Sequence, residues 1–386
     1  MFKILIIDDD PIVRLALKRT LQNQGYETTV ASNGKEGITQ AKILHPALII
    51  CDWVMSEIDG LEVCRQVKKD PNLATTFFIL LTAKGAAPGE EGERVKGLDA
   101  GADEFVSKPI EMNELKARVR AGLRLHQLNQ DLKNQQLALK KLNENLEAEL
   151  AEAAEYVRSL LPSPLIGTVT TEALFVPSAQ LGGDCFDYYW IDSDNLALYL
   201  LDVSGHGVGS ALLSMSVLNV LRSQSLPNTN FSHPSEVLKA LNHSFQMTNH
   251  GNKYFTIFYA VFNRLEQRLI YANAGHPPAL LLGKDATDIK MLNSLDLPIG
   301  FISDIDFAVN TVDIAKDSTL YLFSDGAYEV LQPNGQIWGL DAFINLLIHC
   351  NYTSKCHLQE ILAQIKSLNH CTNFDDDLSL LKITFS

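Results

Sequence analysis

Aspartates recur in this chain where turn residues or strand ends would hold them still. They are Asp8 and Asp9 in "LIIDDDP", Asp52 in "IICDW", Asp184 in "LGGDCF", Asp202 in "LDVSGHG", Asp325 in "LFSDG" and Asp376 in "FDDDLS". Carboxylates gathered in one crevice repel one another unless a hard cation sits among them, and all-oxygen ligands suit Mg²⁺ or Mn²⁺. Asp8, Asp9 and Asp52 are accompanied by Thr82 in "LLTA" and by Lys108 in "SKP". A lysine facing cation-bound carboxylates can neutralise a phosphoryl group. The later four acids stand beside glycines, which let the backbone come close to an ion. Converging, they suit two hard divalent cations about 3.5–4 Å apart with Asp202 as the bridge, an arrangement that activates water against a phosphate ester. Taken singly, "GGD" and "SDG" are ordinary turn sequences, and an acid at a strand end can simply solvate a loop. The sets carry more weight than their members.

The first set must be positioned by strand ends. Apolar runs at Phe2–Ile7, Tyr26–Ala31, Ala47–Cys51, Phe77–Leu81 and Glu104–Ser107 alternate with helix-period stretches that begin near Pro11, Gly34, Asp59, Glu91 and Glu111. Five βα units predict a buried parallel sheet with helices on both faces, a flavodoxin-like α/β domain over residues 1–122. Ligands of such sheets sit at the carboxyl ends of the strands, where these five residues fall.

Residues 123–161 change pattern. Leu125, Leu128, Leu132, Gln135, Leu139, Leu142, Leu146, Glu149, Ala153, Tyr156 and Leu160 alternate steps of three and four, with no Pro or Gly between Leu123 and Leu161. This heptad seam predicts a parallel two-stranded coiled coil and hence a homodimer, the alternative being a helix packed on its own domain. Gln135 and Glu149 weaken the seam locally, and "LLPSP" ends it.

Over residues 162–386, strand-like stretches at Glu172–Val176, Phe186–Ile191, Leu196–Val203, Phe255–Phe262, Arg268–Asn273, Ala279–Leu282, Thr319–Phe323 and Leu378–Phe385 accompany helices at Val208–Ser225, Pro234–Gln246, Leu340–His349 and His357–Leu368. Strands joined by short turns and followed by helices predict an α+β sandwich, two antiparallel sheets flanked by helices.

The net charge of −14 argues against a nucleic-acid partner, which requires a basic face. No apolar run approaches the roughly 18–20 residues of a membrane span. The six cysteines form no CxxC pair, so they read as reduced thiols of a cytoplasmic protein.

Residues 1–122 resemble the receiver domain of two-component response regulators through "ILIIDDDP", "ALIICDWVMSEIDGLEVC", "ILLTA" and "GADEFVSKPI". The resemblance implies that Asp52 accepts phosphate from a sensor histidine kinase. It also implies that Asp8, Asp9, Asp52 and the Val54 carbonyl hold one Mg²⁺, that Thr82 and Phe105 are the switch pair, and that Lys108 contacts the acyl phosphate. Ser56 stands where the family usually has proline, and Gly85–Glu93 is longer and richer in glycine than usual, which leaves the switch face open.

From Tyr156 onward the chain resembles the SpoIIE-like or RsbU-like serine phosphatases, a branch of the PPM phosphatases. The motifs are "VRSLLP", "GGDCFDYY", "DVSGHGVGSALL", "FTIFYAVF", "YANAGHPPALLL", "LPIG", "LYLFSDGAYE" and "DDDLSLLKI". By that resemblance Asp184, Asp202 and the Val203 carbonyl hold one Mn²⁺ or Mg²⁺, while Asp202, Asp325 and Asp376 hold a second, with Asp377 beside them. Ser379 replaces the usual threonine. A cyclic-dinucleotide cyclase, whose GGDEF motif is similar to "GGDCF", fits poorly because Cys185 replaces the glutamate and the motif lies near the start of its domain. His206 invites a role as general acid or as a loop hydrogen-bonder, Asp187 orients a metal-bound water or is structural, and His276 reads as structural. The implied substrate is a phosphorylated STAS-domain anti-sigma antagonist. The alternative is a non-catalytic, receiver-controlled scaffold that binds a STAS or kinase partner.

Overall fold

The protein is described by a computed structural model over residues 1–83, 90–285, 288–294, 296–352, 357–369 and 374–386, with the side chains of residues 90–94 left aside. The chain divides into two compact units, Met1–Asn145 and Leu146–Ser386.

In the first unit, strands β1 (Lys3–Ile7), β2 (Glu27–Ala31), β3 (Leu48–Asp52), β4 (Phe77–Ala83) and β5 (Glu104–Lys108) form one sheet in the order β2-β1-β3-β4-β5. Every pairing in it is parallel. Helices α1 (Pro11–Gln22), α2 (Gly34–Leu44), α3 (Gly60–Lys69), α4 (Glu90–Asp99) and α5 (Met112–Ser159) follow the strands in turn. The central strands are apolar on both faces because both are covered. Leu17, Leu21, Leu115 and Val119 close one face, and Ala41, Val63, Cys64 and Val67 close the other. The first three helices begin where side-chain caps direct: Asp10, Asn33 and Asp59 each accept a backbone N–H of the first turn.

The second unit pairs two five-stranded sheets. Its strands are β6 (Val169–Val176), β7 (Cys185–Trp190), β8 (Asn195–Val203), β9 (Phe255–Asn263), β10 (Arg268–Ala274), β11 (Ala279–Leu282), β12 (Ile289–Leu292), β13 (Asn310–Asp313), β14 (Ser318–Phe323) and β15 (Leu378–Phe385). One sheet runs β13-β10-β9-β8-β7 and the other β12-β11-β14-β15-β6, all antiparallel. Period-two alternation sends Leu196, Leu198, Leu200 and Phe258 into the space between the sheets, where they meet Leu320, Leu322, Leu381 and Ile383. The opposite side chains, Tyr199, Leu201 and Tyr259, pack under α6 (Val208–Arg222) and α7 (Pro234–Ser244). Tyr321, Phe323 and Leu380 pack under α8 (Leu340–Tyr352) and α9 (Leu358–Leu368). The architecture is therefore the expected five-stranded α/β unit followed by a helix-flanked antiparallel sandwich. β12 and β13 were not anticipated: at four residues each, with largely exposed side chains, they carry almost no apolar signal.

Helix α5 is 48 residues long. Leu125, Leu128, Leu132, Leu139, Leu142 and Leu146 are exposed along it. Near its end a different face is covered, with Leu150, Ala154 and Val157 packing on Leu181 and Ala211. Cys51, Cys64 and Cys185 are free and buried, but Cys350 is disulfide-bonded, which corrects the expectation of six reduced thiols. A bridge needs only two Cα atoms brought within about 7 Å by the fold, not a CxxC spacing.

Phe258 is fully buried between the two sheets, its ring stacked 5.3 Å from that of Tyr271. Phe258→Ala should destabilise the Leu146–Ser386 unit by about 3–5 kcal/mol. Calorimetric melting should show the transition of that unit alone moving down.

Candidate phosphate and metal sites

In the first unit, Asp8 is wholly buried, Asp52 nearly so and Asp9 exposed. One oxygen from each lies within 4.8 Å of the others, and among the described residues no other group of three or more metal-ligating side chains is drawn together so closely. Lys108 Nζ donates to Asp52 at 2.9 Å and to Asp8 at 3.2 Å. Burial pushes the Asp52 carboxyl above its ordinary range, and Lys108 opposes that shift. Burial pulls Lys108 down, but its bonds to Asp52 and Asp8 leave it raised. Thr82, the last residue but one of β4, is half-buried, Phe105 is buried with its ring 6.5 Å from Trp53, and Val54 is 72% exposed. Gly85–Glu93 lies outside the described residues as far as residue 89, and α4 starts at Glu90.

In the second unit, pairing explains why distant acids meet. The start of β7 lies beside the end of β8, with Cys185 opposite Leu201, so Asp184 and Asp202 stand at the same end of one sheet. The end of β14 lies beside the start of β15, with Phe323 opposite Leu380, so Asp325 and Asp376 leave the other together. Besides burial, the acids of the second sheet raise the pKa of Asp202 in the first. Asp202 is pushed up to about 8 by burial and then by the charges of Asp325, Asp376 and Asp377. Asp325 is pushed up to about 6 by burial, Asp376 and Glu329. Asp184 is raised well above its usual value by burial and then by Asp202 and Asp377, and Asp376 is raised by partial burial of its carboxyl and by Asp377 although the residue as a whole is exposed. Both oxygens of Asp184 and Oδ1 of Asp325 are buried without a hydrogen bond of good geometry, although the Ser324 and Ser379 hydroxyls lie close enough to Asp184 to oppose its upward shift. Carboxylate oxygens turned inward among like charges fit a hard divalent cation.

Asp377 takes another part. Its carboxylate accepts hydrogen bonds from the Gly183 N–H, from the Ser178 N–H at 2.7 Å and from the Ser178 hydroxyl at 3.0 Å. A Cβ on Gly182 would lie 2.6 Å from Asp377 Oδ2, and one on Gly326 would run into the Asp377 carbonyl. The glycines of "GGD" and "SDG" thus admit Asp377, which ties the Asp184 turn to the foot of β15.

A family model described as stage II sporulation protein E (SpoIIE) matches residues 192–386, half of the chain. The chain belongs to the SpoIIE family. A response regulator receiver domain model matches residues 4–120. Phosphoserine phosphatase RsbP of Bacillus subtilis is 33% identical over 206 residues, which cover 52% of this chain and 49% of RsbP. Response regulator MprA of Mycobacterium ulcerans is 40% identical over 129 residues, 33% of this chain and 53% of MprA. The chain thus spans about half the length of the curated relatives it matches. Among solved structures, the SiaA-PP2C domain of Pseudomonas aeruginosa superposes with a TM-score of 0.55 at 20% identity, covering 64% of this chain and 99% of that domain. That likeness concerns the fold.

Within this SpoIIE-family chain, other residues singled out from sequence have distinct surroundings. Asp187 is buried, accepts from Arg222 Nε at 2.7 Å and from the Tyr188 N–H at 2.8 Å, and so has a structural partner on each oxygen. His276 is buried, with Nδ1 3.0 Å from the Pro277 carbonyl, and burial pulls it down to about 4. His206 is exposed, near enough to Asp376 for its charge to oppose the upward shift of that carboxyl. Ser379 is buried, its N–H bonded to the Ser324 hydroxyl at 2.9 Å. Sequence reasoning passed over Arg222, which also donates to the Leu160 carbonyl at 3.0 Å, and Lys253, whose "NKYF" setting carries no motif. Among the described residues no helix is long and apolar enough to cross a membrane.

Asp202 and Asp325 have folded pKa values above the ordinary 3.8, so folding takes up protons. Their contribution to stability is full below the unfolded value and is lost as pH rises through about 6 and about 8. In chelator, the second unit should therefore melt lower at about pH 8 than at about pH 5, and Mn²⁺ should flatten the trend. Melting that rises with pH in chelator would contradict these shifts.

Proposed function

We propose that this protein is a response regulator whose phosphorylation at Asp52 controls a metal-dependent protein serine/threonine phosphatase. The observation that supports the reading is that Asp202, at the end of one sheet, feels the charges of Asp325, Asp376 and Asp377 from the other and lies beside the buried Asp184. Asp184, Asp202 and the Val203 carbonyl would hold one Mn²⁺ or Mg²⁺, and Asp202, Asp325 and Asp376 a second. When bound, the ions supply water activation and charge neutralisation at the phosphoryl oxygens. Asp377 orients the Asp184 turn, and Asp202 serves both halves of the site. In the receiver, Asp8, Asp9, Asp52 and the Val54 carbonyl would hold one Mg²⁺, with Lys108 opposite the phosphoryl group. Thr82 and Phe105 would respond to it as the switch pair.

The proposed phosphodonor is a sensor histidine kinase, and the proposed substrate a phosphorylated STAS-domain anti-sigma antagonist in the cytoplasm. Similarity to a phosphoserine phosphatase supports the ester class. Receiver, helix and phosphatase are read as residues 1–122, 123–161 and 162–386. The exposed leucines of α5 support a parallel coiled-coil homodimer through which the receiver state shifts the phosphatase equilibrium.

Asp202→Asn removes charge from both halves of the site. It should remove Mn²⁺-dependent hydrolysis of p-nitrophenyl phosphate while leaving the circular dichroism spectrum unchanged; activity close to wild type would refute the two-metal assignment, and an inert wild type would favour the scaffold. Leu139→Lys with Leu142→Lys should convert a dimer to a monomer by light scattering and remove any rate change caused by beryllofluoride. A variant that stays dimeric would rule out this seam.

A further inference from the structure

A half-buried lysine lying against the loop between Asp202 and α6 has no carboxylate partner among the described residues. Lys253 Nζ donates to the Ser210 hydroxyl at 2.9 Å and to the Ser204 carbonyl at 3.3 Å. Among the described residues it makes no ion pair, unlike Lys239, Lys284 and Lys382. Its side chain lies along the loop between Asp202 and α6. A Cβ on Gly209 would come 3.1 Å from Lys253 Cε, and one on Gly205 would come 3.7 Å from Nζ. The position is fixed from several sides, since the Ser204 N–H donates to the Tyr254 carbonyl at 2.9 Å and the Tyr254 N–H to the Ser204 hydroxyl at 3.1 Å.

The ammonium also approaches the turn that presents Asp184. Ser210, its 2.9 Å partner, is fully buried. A Cβ built on Gly183 would lie 3.2 Å from Ser210 Cβ and 2.7 Å from the Val203 carbonyl oxygen. One serine thus separates the Lys253 charge from the Gly183–Asp184 turn and from the Val203 carbonyl. An ammonium has three donors and two are used here. Neither helix electrostatics nor metal binding accounts for it, because the amino end of α6 disfavours a cation and a divalent ion repels one. An anion is what a cation so placed attracts.

We propose that Lys253 binds the phosphoryl group of the substrate, using its remaining N–H donor as the protein's own cation in a site otherwise made of acids. The assignment rests on the phosphatase reading above. It extends that reading to a phosphomonoester dianion held jointly by the carboxylate-bound ions and by one lysine. Charge-assisted bonds of this kind are lost at a cost of about tenfold or more in affinity.

The test compares the full-length wild type with Lys253→Met, Lys253→Gln and Lys253→Arg. KM and kcat for p-nitrophenyl phosphate are measured at saturating Mn²⁺, with inhibition by inorganic phosphate and with Mn²⁺ affinity by calorimetry. Lys253→Met and Lys253→Gln should raise KM and the phosphate inhibition constant about tenfold, with a smaller change in kcat and unchanged Mn²⁺ affinity. Lys253→Arg should recover most of the loss. Unchanged KM and phosphate inhibition in the neutral variants, or a loss that follows weakened Mn²⁺ binding, would overturn the assignment while the phosphatase stands. A wild type that neither hydrolyses the ester nor binds Mn²⁺ would overturn both.

Discussion

Like charges do not share a pocket without compensation, and both units of this chain are arranged around that constraint. In the first, Lys108 lies between Asp52 and Asp8 at 2.9 and 3.2 Å, so part of the repulsion is offset within the protein. In the second, the acids face one another with no lysine or arginine bonded to them among the described residues, and their pKa values rise accordingly. The sheets hold them there regardless: strand pairing fixes where each aspartate leaves its sheet, and the Asp377 clamp fixes the turn that presents Asp184. The fold supplies the work of bringing the carboxylates together, and a bound divalent ion would return it.

Much of this was legible in the residues themselves. The βα alternation of the first unit has helix caps and buried apolar runs that agree at every level, so both strands and helices were found within a residue or two. The long strands of the sandwich were equally plain. What escaped was short, exposed or dependent on contacts distant in sequence. β12 and β13 have too little burial to leave a period-two signal. Asp376 and Asp377 are adjacent and chemically identical. Only the approach of Gly182 and Gly183 distinguishes the clamp from the open carboxylate. The Asp187–Arg222 pair spans 35 residues and the Lys253–Ser210 bond 43, separations at which no local pattern operates.

The helix α5 answers to two demands at once. Leu115, Val119 and Leu123 belong to the core of the first unit, and Ala154 with Leu150 and Val157 is covered in the second. Between these ends its leucines face solvent. A heptad pattern cannot distinguish a seam awaiting a second chain from a helix partly used by its own domain, because the two share positions at the ends. Here the covered face at Ala154 lies one position round from the seam residue Ala153, which is exposed. Close by, Arg222 joins the Leu160 carbonyl to Asp187, three residues after Asp184. The end of the long helix is thereby connected through two polar contacts to the strand that begins at the acid cluster.

The central claim, that acids from two sheets form one cation cage, is tested most directly by anomalous scattering from crystals soaked in Mn²⁺. The account predicts two peaks, one against Asp184 and Asp202 and one against Asp202, Asp325 and Asp376, with Asp377 still bonded to the Gly183 N–H. A map at saturating Mn²⁺ with no peak among these residues, or with the metal bound elsewhere in the second unit, would contradict it.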